Sequence, residues 1–309
     1  MQQARNLQQR IVSGGFSYGG ATLLMLGAWS LSYLRSPQTC YLLGGLGCLV
    51  VGLLLNWLNK TFALIRERTQ APYSLYILLG ACCPFLHQFS EGLLAAVFLI
   101  FALHFLMRSF QEEFSQPYVF QSFCMLGIGG LIYPKLCILF PIFLIGTIQF
   151  LSLNARSFFA ALMGGLMPFW FLLAYGLVMR DIDLIVSPFL SLATFQPLGI
   201  GYELWQLPLY VLLLILFIVS TTHIYLTTYD ERMRTRVFLR FLIFLGGFLL
   251  LCMPLQPQEA IHLFPLASVP ISLIAAHFFA LTESKLSLAF TIFTLAALVG
   301  TYLFCLWML

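Results

Sequence analysis

Long apolar runs of about 17 to 22 residues, bounded by charged, proline or polar clusters, recur along the whole chain. A run of that length crosses the roughly 30 Å hydrocarbon core of a bilayer as a helix. Only 8% of the residues are charged, whereas soluble domains carry about 25%. We therefore predict an all-α, polytopic transmembrane helix bundle. Eleven spans would use about 220 of the residues, which excludes a sizeable soluble catalytic domain.

The runs predict about eleven spans, with a range of about 10 to 12. Their approximate bounds are 15–34, 40–58, 71–87, 92–108, 117–133, 135–151, 157–178, 207–227, 237–254, 262–280 and 287–307. The third and sixth contain Pro84 and Pro141, so either is a candidate for a re-entrant or broken helix. Residues 1–14 are expected to form a short cytoplasmic segment, 15–309 a single transmembrane helical domain, and 179–206 an interfacial outer loop.

Lys and Arg residues are distributed unequally between alternate loops. These residues resist translocation and accumulate in short cytoplasmic loops. With the N-terminus inside, twelve of the fifteen lie in inner segments, and only Arg35, Lys135 and Arg180 lie in outer ones. The bias predicts an N-terminus inside and a C-terminus outside. Because the basic residues are scattered along membrane edges, nucleic acid is not an expected partner.

Small and sulfur-containing residues recur inside the apolar runs. The eight cysteines show no C-x-x-C spacing, so neither a metal site nor a disulfide framework is expected, and they are interpreted as small packing residues. The adjacent Cys82 and Cys83 are the one place where a redox role is conceivable. Glycine pairs and the Gly15-x-x-x-Gly19 motif favour close helix contacts, although an inverted repeat of the transporter type would also produce such pairs. The pairs are Gly44–Gly45, Gly129–Gly130, Gly164–Gly165 and Gly246–Gly247.

Polar side chains concentrate in the predicted outer loops, whereas no predicted span has a charged residue at its centre. A buried proton relay is therefore not indicated. Candidate catalytic residues are Asp181, Asp183 and Glu91, and candidate binding residues are Lys135, Arg180, Glu203, Glu259 and His262. These groups form either an acidic rim left by the depletion of bases or a shallow polar site open to the outer leaflet. Isolated histidines within spans are interpreted as hydrogen-bonded packing residues; they are His104, His223 and His277.

The loop between the seventh and eighth spans is long and half apolar. Leu184, Ile185, Phe189 and Leu190 predict one face of a short helix, broken near Pro188. Such a helix lies in the membrane interface plane or caps a lateral opening used by a lipid. Near predicted span ends, three tryptophans are interpreted as belt residues, namely Trp57, Trp205 and Trp307. On the inner side, residues 229–236 form a dense charge run suited to anionic-lipid contact or to a cytoplasmic partner.

Residues 67–178 carry a recognisable pattern. Arg66-Glu67-Arg68-Thr69 precedes APYSLYILL, and ALHFLMRSF, GGLIYPK and LNARSFFAALMGGLMPFWF follow. This region resembles an uncharacterised polytopic inner-membrane family of the Bacteroidota, known only as a domain of unknown function. The resemblance implies a location in the cytoplasmic membrane of a double-membrane bacterium. It carries over no catalytic or binding residue.

Three functions are compatible with these features. The first is a carrier or flippase-like protein that handles an envelope lipid or a lipid-linked precursor. The second is a non-catalytic scaffold subunit of an envelope complex, with a membrane-protein partner. The third is an outer-leaflet glycosyltransferase-like enzyme or ligase that uses a lipid-linked donor. Enzymes of this kind commonly carry an acidic motif in a large first outer loop, but residues 36–40 contain no carboxylate. The sequence thus favours a non-enzymatic role with membrane lipids as partners and no cofactor.

Overall fold

The computed structural model describes residues 15–35, 37–67, 69–180, 182–193, 203–227, 232–282 and 285–308. Over these residues the chain contains 87% helix and no strands. A bilayer offers no water to the backbone, and a helix pairs its N–H and C=O groups internally. The all-α prediction is confirmed. The predicted cytoplasmic segment 1–14 lies outside the described residues.

Twelve α-helices follow one another in the described part of the chain. They are α1 Gly15–Arg35, α2 Thr39–Phe62, α3 Ala71–Ala81, α4 Glu91–Arg108, α5 Gln116–Ile132, α6 Phe140–Gln149, α7 Ala155–Met179, α8 Ile182–Ala193, α9 Gln206–Thr227, α10 Met233–Leu255, α11 Ala260–Leu281 and α12 Lys285–Met308. Short 3₁₀ segments precede α4, α6 and α11; they are Pro84–Leu86, Pro134–Leu139 and Pro257–Glu259.

Among the described helices, seven are long and apolar enough to cross a membrane: α2, α4, α7, α9, α10, α11 and α12. They correspond to the second, fourth and seventh to eleventh predicted spans. Helix α1 is long enough at 21 residues but less apolar, and α5 has 17 residues. Helices α3 and α6 have only 11 and 10 residues, which is about 15 to 17 Å of helix. The third predicted span is therefore broken near Pro84, as predicted. The sixth is a short helical run, Pro134–Gln149, that changes from 3₁₀ to α at Phe140, and Pro141 does not break it.

The described chain divides into two compact units. The described residues within 1–93 and 199–309 form the first unit, and those within 94–198 form the second. Helix α11 is the centre of the first unit, where it packs against α3, α9 and α10. Of its most apolar stretch, 94% is buried inside the protein. A helix that is apolar on every face is typical of such a central position.

One end of the first unit gathers the starts of α2, α4 and α11 around His87. The backbone N–H of Phe89 donates to the carbonyl of Cys40 at 3.0 Å, which joins the loop before α4 to the start of α2. Gly92 in the first turn of α4 lies directly against the backbone of His262 in α11. We call this region the His87 end.

At the opposite end of the first unit, the last turn of α2 meets the first turn of α10. The guanidinium of Arg234 lies 5.7 Å from the ring centroid of Phe62 and 5.4 Å from that of Phe238. Both distances are within the range of a cation–π contact. We call this region the Arg234 end.

Residues 63–86, here called the broken segment, start at the Arg234 end and continue without a long helix. The N–H of Leu64 donates to the Asn59 carbonyl at 3.3 Å, and the N–H of Ile65 donates to Asn59 Oδ1 at 3.1 Å. Helix α3 then runs beside the middle of α2, where a Cβ on Gly52 would lie 3.0 Å from the Tyr73 ring. The broken segment finishes at the His87 end. It therefore runs from one end of α2 back to the other as a short helix flanked by irregular backbone.

Close contact between α5 and α7 defines the second unit. A Cβ on Gly127 would lie 2.8 Å from the carbonyl oxygen of Gly165, and a Cβ on Gly164 would be closer still to the carbonyl of Phe120. Lipid tails supply no hydrophobic drive between helices, so small residues that admit a neighbouring backbone stabilise the contact.

All four glycine pairs have at least one member in close contact, as predicted. The expectation for the Gly15-x-x-x-Gly19 motif is wrong at Gly19, because nothing lies within 4 Å of a Cβ built there. The motif places two small residues one helical turn apart, but they make a close contact only where another helix packs against that face.

Helix α8 corrects another expectation. The predicted break near Pro188 does not occur, because α8 continues through Pro188 to Ala193. A proline removes one helical hydrogen bond and can bend a helix without ending it. The ring of Phe189 lies 5.6 Å from that of Phe169 in α7, so α8 packs against its predecessor.

The α5–α7 contact yields a stability prediction. Gly164→Ala places a methyl group against the Phe120 carbonyl, and we expect it to lower the free energy of unfolding by about 1 to 3 kcal/mol. Unfolding in mixed detergent micelles, followed by tryptophan fluorescence, measures the change. Gly300→Ala is the matched control because nothing lies within 4 Å of its Cβ position. Equal stability of the two variants would contradict the proposed contact.

Candidate functional site

His87 forms the best-connected polar centre at the His87 end. Its Nδ1 lies 2.7 Å from Ser32 Oγ, and its Nε2 lies 3.3 Å from the Ala81 carbonyl oxygen. Because a carbonyl can only accept, Nε2 carries the proton and Nδ1 accepts the hydrogen bond of the Ser32 hydroxyl. The ring therefore links α1 to the end of α3 in one fixed tautomer.

Trp29 holds the other side of His87. The two rings are stacked with centroids 3.9 Å apart and planes at 20°. The Trp29 indole N–H also donates to the His87 carbonyl oxygen at 3.2 Å. That same carbonyl oxygen lies too close to the Cβ position of Gly44 to leave room for a side chain. Glycine is therefore required at this position for α2 to approach the loop.

The environment of His87 keeps its imidazole neutral. His87 is fully buried in the loop between the broken segment and α4. Burial lowers the pKa of His87 from 6.5 to about 4, although its contact with the Ala81 carbonyl partly opposes that effect. Charging a buried group costs the free energy of desolvation. At neutral pH, His87 is therefore a neutral hydrogen-bonding group.

Four of the predicted site residues belong to the His87 end. Glu91 is exposed at the first position of α4, next to the contact between Gly92 and His262. Glu259 and His262 are partly exposed around the start of α11. Glu203 is exposed just before α9 and accepts a hydrogen bond from Trp205, whose ring stacks on Phe85, two residues before His87. The structure thus gathers predicted carboxylates at the same end as His87.

Trp205 corrects the interpretation as a belt residue. It is only 2% exposed, its ring stacks on Phe85 at 5.0 Å, and its indole N–H donates to Glu203 Oε2. Hydropathy places a tryptophan near a span end but does not reveal whether it faces lipid or protein. Trp57 and Trp307 are 40% and 83% exposed, as belt residues would be.

The remaining predicted site residues belong to the second unit. Lys135 lies in the 3₁₀ segment Pro134–Leu139, against which α8 packs. Arg180 is exposed and ends α7 in a left-handed conformation, with φ 56°. Asp183 is exposed in the first turn of α8. Asp181, the other candidate catalytic aspartate, lies outside the described residues.

A small cavity adjoins Trp29 in the first unit. Its volume of about 20 Å³ accommodates about one water molecule. The cavity is lined by residues of α1, α2, α3, α4 and α11 and of the turn before α4. They are Trp29, Cys48, Tyr76, Gly80, Leu86, Leu93, Phe264, Pro265 and Ser268. The cavity is therefore much too small for a lipid headgroup.

The residues that complete the His87 end were not among the predicted site residues. His87 is the last residue of the third predicted span, but Trp29 and Ser32 lie 58 and 55 positions earlier in a different helix. The packing interpretation of His223 is confirmed, because its ring lies edge-on to Phe278 and its Nε2 lies 3.4 Å from Thr282 Oγ1.

Comparison with known proteins adds no relative to these observations. No protein-family model, curated protein or solved structure matches the chain. The arrangement of side chains within each unit is therefore what supports a functional proposal.

The buried His87 yields a pH prediction. Its pKa is about 4 in the folded protein and about 6.5 when unfolded, so the unfolded state binds the extra proton first as the pH falls. We expect the free energy of unfolding to decrease by about 3 kcal/mol between pH 6.5 and 4 and to level off below that range. Unfolding in mixed micelles across this range measures the slope.

The variant His87→Gln removes this titration and should flatten that part of the pH profile. His262→Gln is the matched control, because it leaves His87 in place and should keep the slope. An unchanged slope in His87→Gln would contradict the assignment of the effect to His87.

Proposed function

We propose that the protein is a carrier of the flippase type, which moves an envelope lipid or lipid-linked precursor across a bacterial inner membrane. The observation that carries this proposal is the presence, in each unit, of an apolar segment that does not form one long α-helix. The first unit contains the broken segment, and the second contains the 3₁₀ segment Pro134–Leu139 followed by the short helix α6.

Discontinuous helices are costly in an apolar bilayer. Irregular backbone leaves N–H and C=O groups without helical partners, and it is tolerated only where protein buries it or where it lines a cavity. Carriers use such interruptions because the freed backbone groups and helix ends bind polar parts of a substrate. A bundle that served only to span the membrane would have no need of them.

The chemistry of the exposed groups suits an amphiphilic substrate. Glu91 and Glu203 are exposed at the His87 end of the first unit, and Arg180 is exposed in the second. These groups can bind hydroxyl, amine or phosphate groups of a lipid headgroup. Much of the apolar surface of α7 is exposed, with 28% of its most apolar stretch buried, so acyl or prenyl chains can pack along it.

We also propose eleven crossings, with the N-terminus inside and the C-terminus outside. The loop charges support this orientation through the excess of Lys and Arg in alternate segments. The alternation of helix ends in the first unit is compatible with it, because α2, α4 and α11 begin at the His87 end and α10 begins at the Arg234 end. The broken segment counts as a crossing because it joins the two ends of α2.

Lipid movement in reconstituted vesicles tests the carrier function. Purified protein is placed in phosphatidylethanolamine–phosphatidylglycerol vesicles that contain a trace of either lipid with a fluorescent headgroup, or of a fluorescent polyprenyl-linked sugar. Dithionite added outside bleaches only the outer leaflet. We expect bleaching of at least one probe to proceed beyond the outer-leaflet half. Bleaching equal to that of protein-free vesicles for all three probes would contradict the proposal and favour the scaffold role.

A proline variant connects that activity to the broken segment. Pro84→Ala permits a more regular helix after α3, and we expect at least about tenfold slower movement, or roughly 1.4 kcal/mol in the barrier. Pro72→Ala is the matched control, because Pro72 lies in the first turn of α3, where proline does not interrupt the helix. Both variants must elute as a single peak in detergent. Equal rates of lipid movement in the two variants would show that transport does not depend on the broken segment.

Reporter fusions test the crossings. Alkaline phosphatase, which is active only outside the cytosol, should be active after Leu309 and inactive after Ser109. If the broken segment did not cross, the reporter after Ser109 would be active. Inactivity after Leu309 would contradict the proposed orientation.

A further inference from the structure

Two cysteines from distant parts of the sequence meet in the first unit. Cys83 lies two residues after the last residue of α3, and Cys305 lies in the last turn of α12, 222 residues later. Their sulfur atoms are 3.6 Å apart, and both side chains are fully buried. Helix α12 also packs against the 3₁₀ turn Pro84–Leu86, so the two thiols are held together by the surrounding fold.

The local backbone selects Cys83 rather than Cys82 for this contact. Cys82 caps α3, and its thiol donates to the Leu79 carbonyl at 2.9 Å. Cys83 has an extended backbone, with φ −139° and ψ 112°, and its side chain faces Cys305. A disulfide requires about 2.05 Å between the sulfur atoms, so the thiols must approach by about 1.5 Å. Small rotations of the two side chains can supply that movement.

The surroundings of this pair depend on the proposed orientation. Cys83 precedes the His87 end by four residues, and Cys305 lies close to the C-terminus. The proposed topology puts both at the periplasmic face, where disulfides form and persist. Because both thiols are buried in the folded protein, oxidation must occur while the chain folds, before the last turn of α12 packs against Cys83.

We propose that Cys83 and Cys305 form a disulfide bond in the cell, which fixes the last turn of α12 to the broken segment. The oxidant is a protein disulfide of a thiol–disulfide oxidoreductase. Thiol–disulfide exchange transfers two electrons and two protons from the cysteines to that disulfide, leaving one new S–S bond here and two thiols in the oxidoreductase. The proposal rests on the proposed orientation and does not require lipid transport.

Mass spectrometry of the complete protein tests this bond. Membranes are collected in N-ethylmaleimide, which blocks free thiols, and the protein is purified without reductant and digested with trypsin. Cleavage after Arg68, Arg108 and Lys285 gives one peptide, 69–108, with Cys82 and Cys83, and another, 286–309, with Cys305. We expect the two peptides to be joined, with a mass two hydrogens below their sum, in most molecules. A separate 286–309 peptide in most molecules, with Cys305 either as a free thiol or modified by N-ethylmaleimide, would overturn the proposal.

Two serine variants identify the partner of Cys305. Cys83→Ser should abolish the joined peptides, and Cys82→Ser, one residue away, should retain them. The reverse pattern would overturn the assignment to Cys83. Because the main readout uses the unaltered protein, misfolding of a variant does not affect it. The reporter fusion after Leu309 detects a wrong orientation separately, and the vesicle assay detects a failed transport function separately.

Discussion

The need to pair every backbone polar group inside the protein governs this structure. Lipid supplies no hydrogen bonds, so regular helices are the default and each interruption must be sheltered by other residues. The start of the broken segment illustrates this requirement. The backbone carbonyl of Asn59 accepts from the N–H of Leu64, its side-chain Oδ1 accepts from the N–H of Ile65, and Leu64 is only 1% exposed. Irregular backbone occurs here because neighbouring helices enclose it.

Sequence reasoning succeeded where the physical signal accumulates over many adjacent residues. The seven long helices were predicted because transfer free energy adds over about 20 residues. Pro84 correctly marked the interrupted third span, whereas Pro141 lies in the first turn of α6, where proline does not interrupt a helix. Pro188 did not end its helix, since a proline removes one hydrogen bond and the remaining turns can still form. A single proline therefore predicts that a helix is perturbed more reliably than it predicts whether the helix bends or ends.

The candidate site was harder to predict because its residues meet only through tertiary packing. Glu91, Glu203 and His262 were predicted to lie on the outer side from loop position alone, and the structure groups them at the His87 end. No periodic pattern in the sequence indicates that His87 contacts Trp29 and Ser32. The same holds for Cys83 and Cys305, whose meeting depends on the packing of the last helix. The burial of Trp205 likewise depends on Phe85, which lies far earlier in the chain.

Helix α11 has a consequence for how the chain is assembled. In the finished unit nearly all its faces touch protein, yet its composition is apolar enough for lipid. Its serines do not prevent this, because Ser268 and Ser272 donate to the carbonyls of Phe264 and Val269 within the same helix. The helix can therefore enter the bilayer from the insertion machinery by itself. It can pack against the other helices later, when their side chains replace the lipid around it. Membrane integration and bundle formation are separable steps for this protein, and its innermost element needs no partner to enter the bilayer.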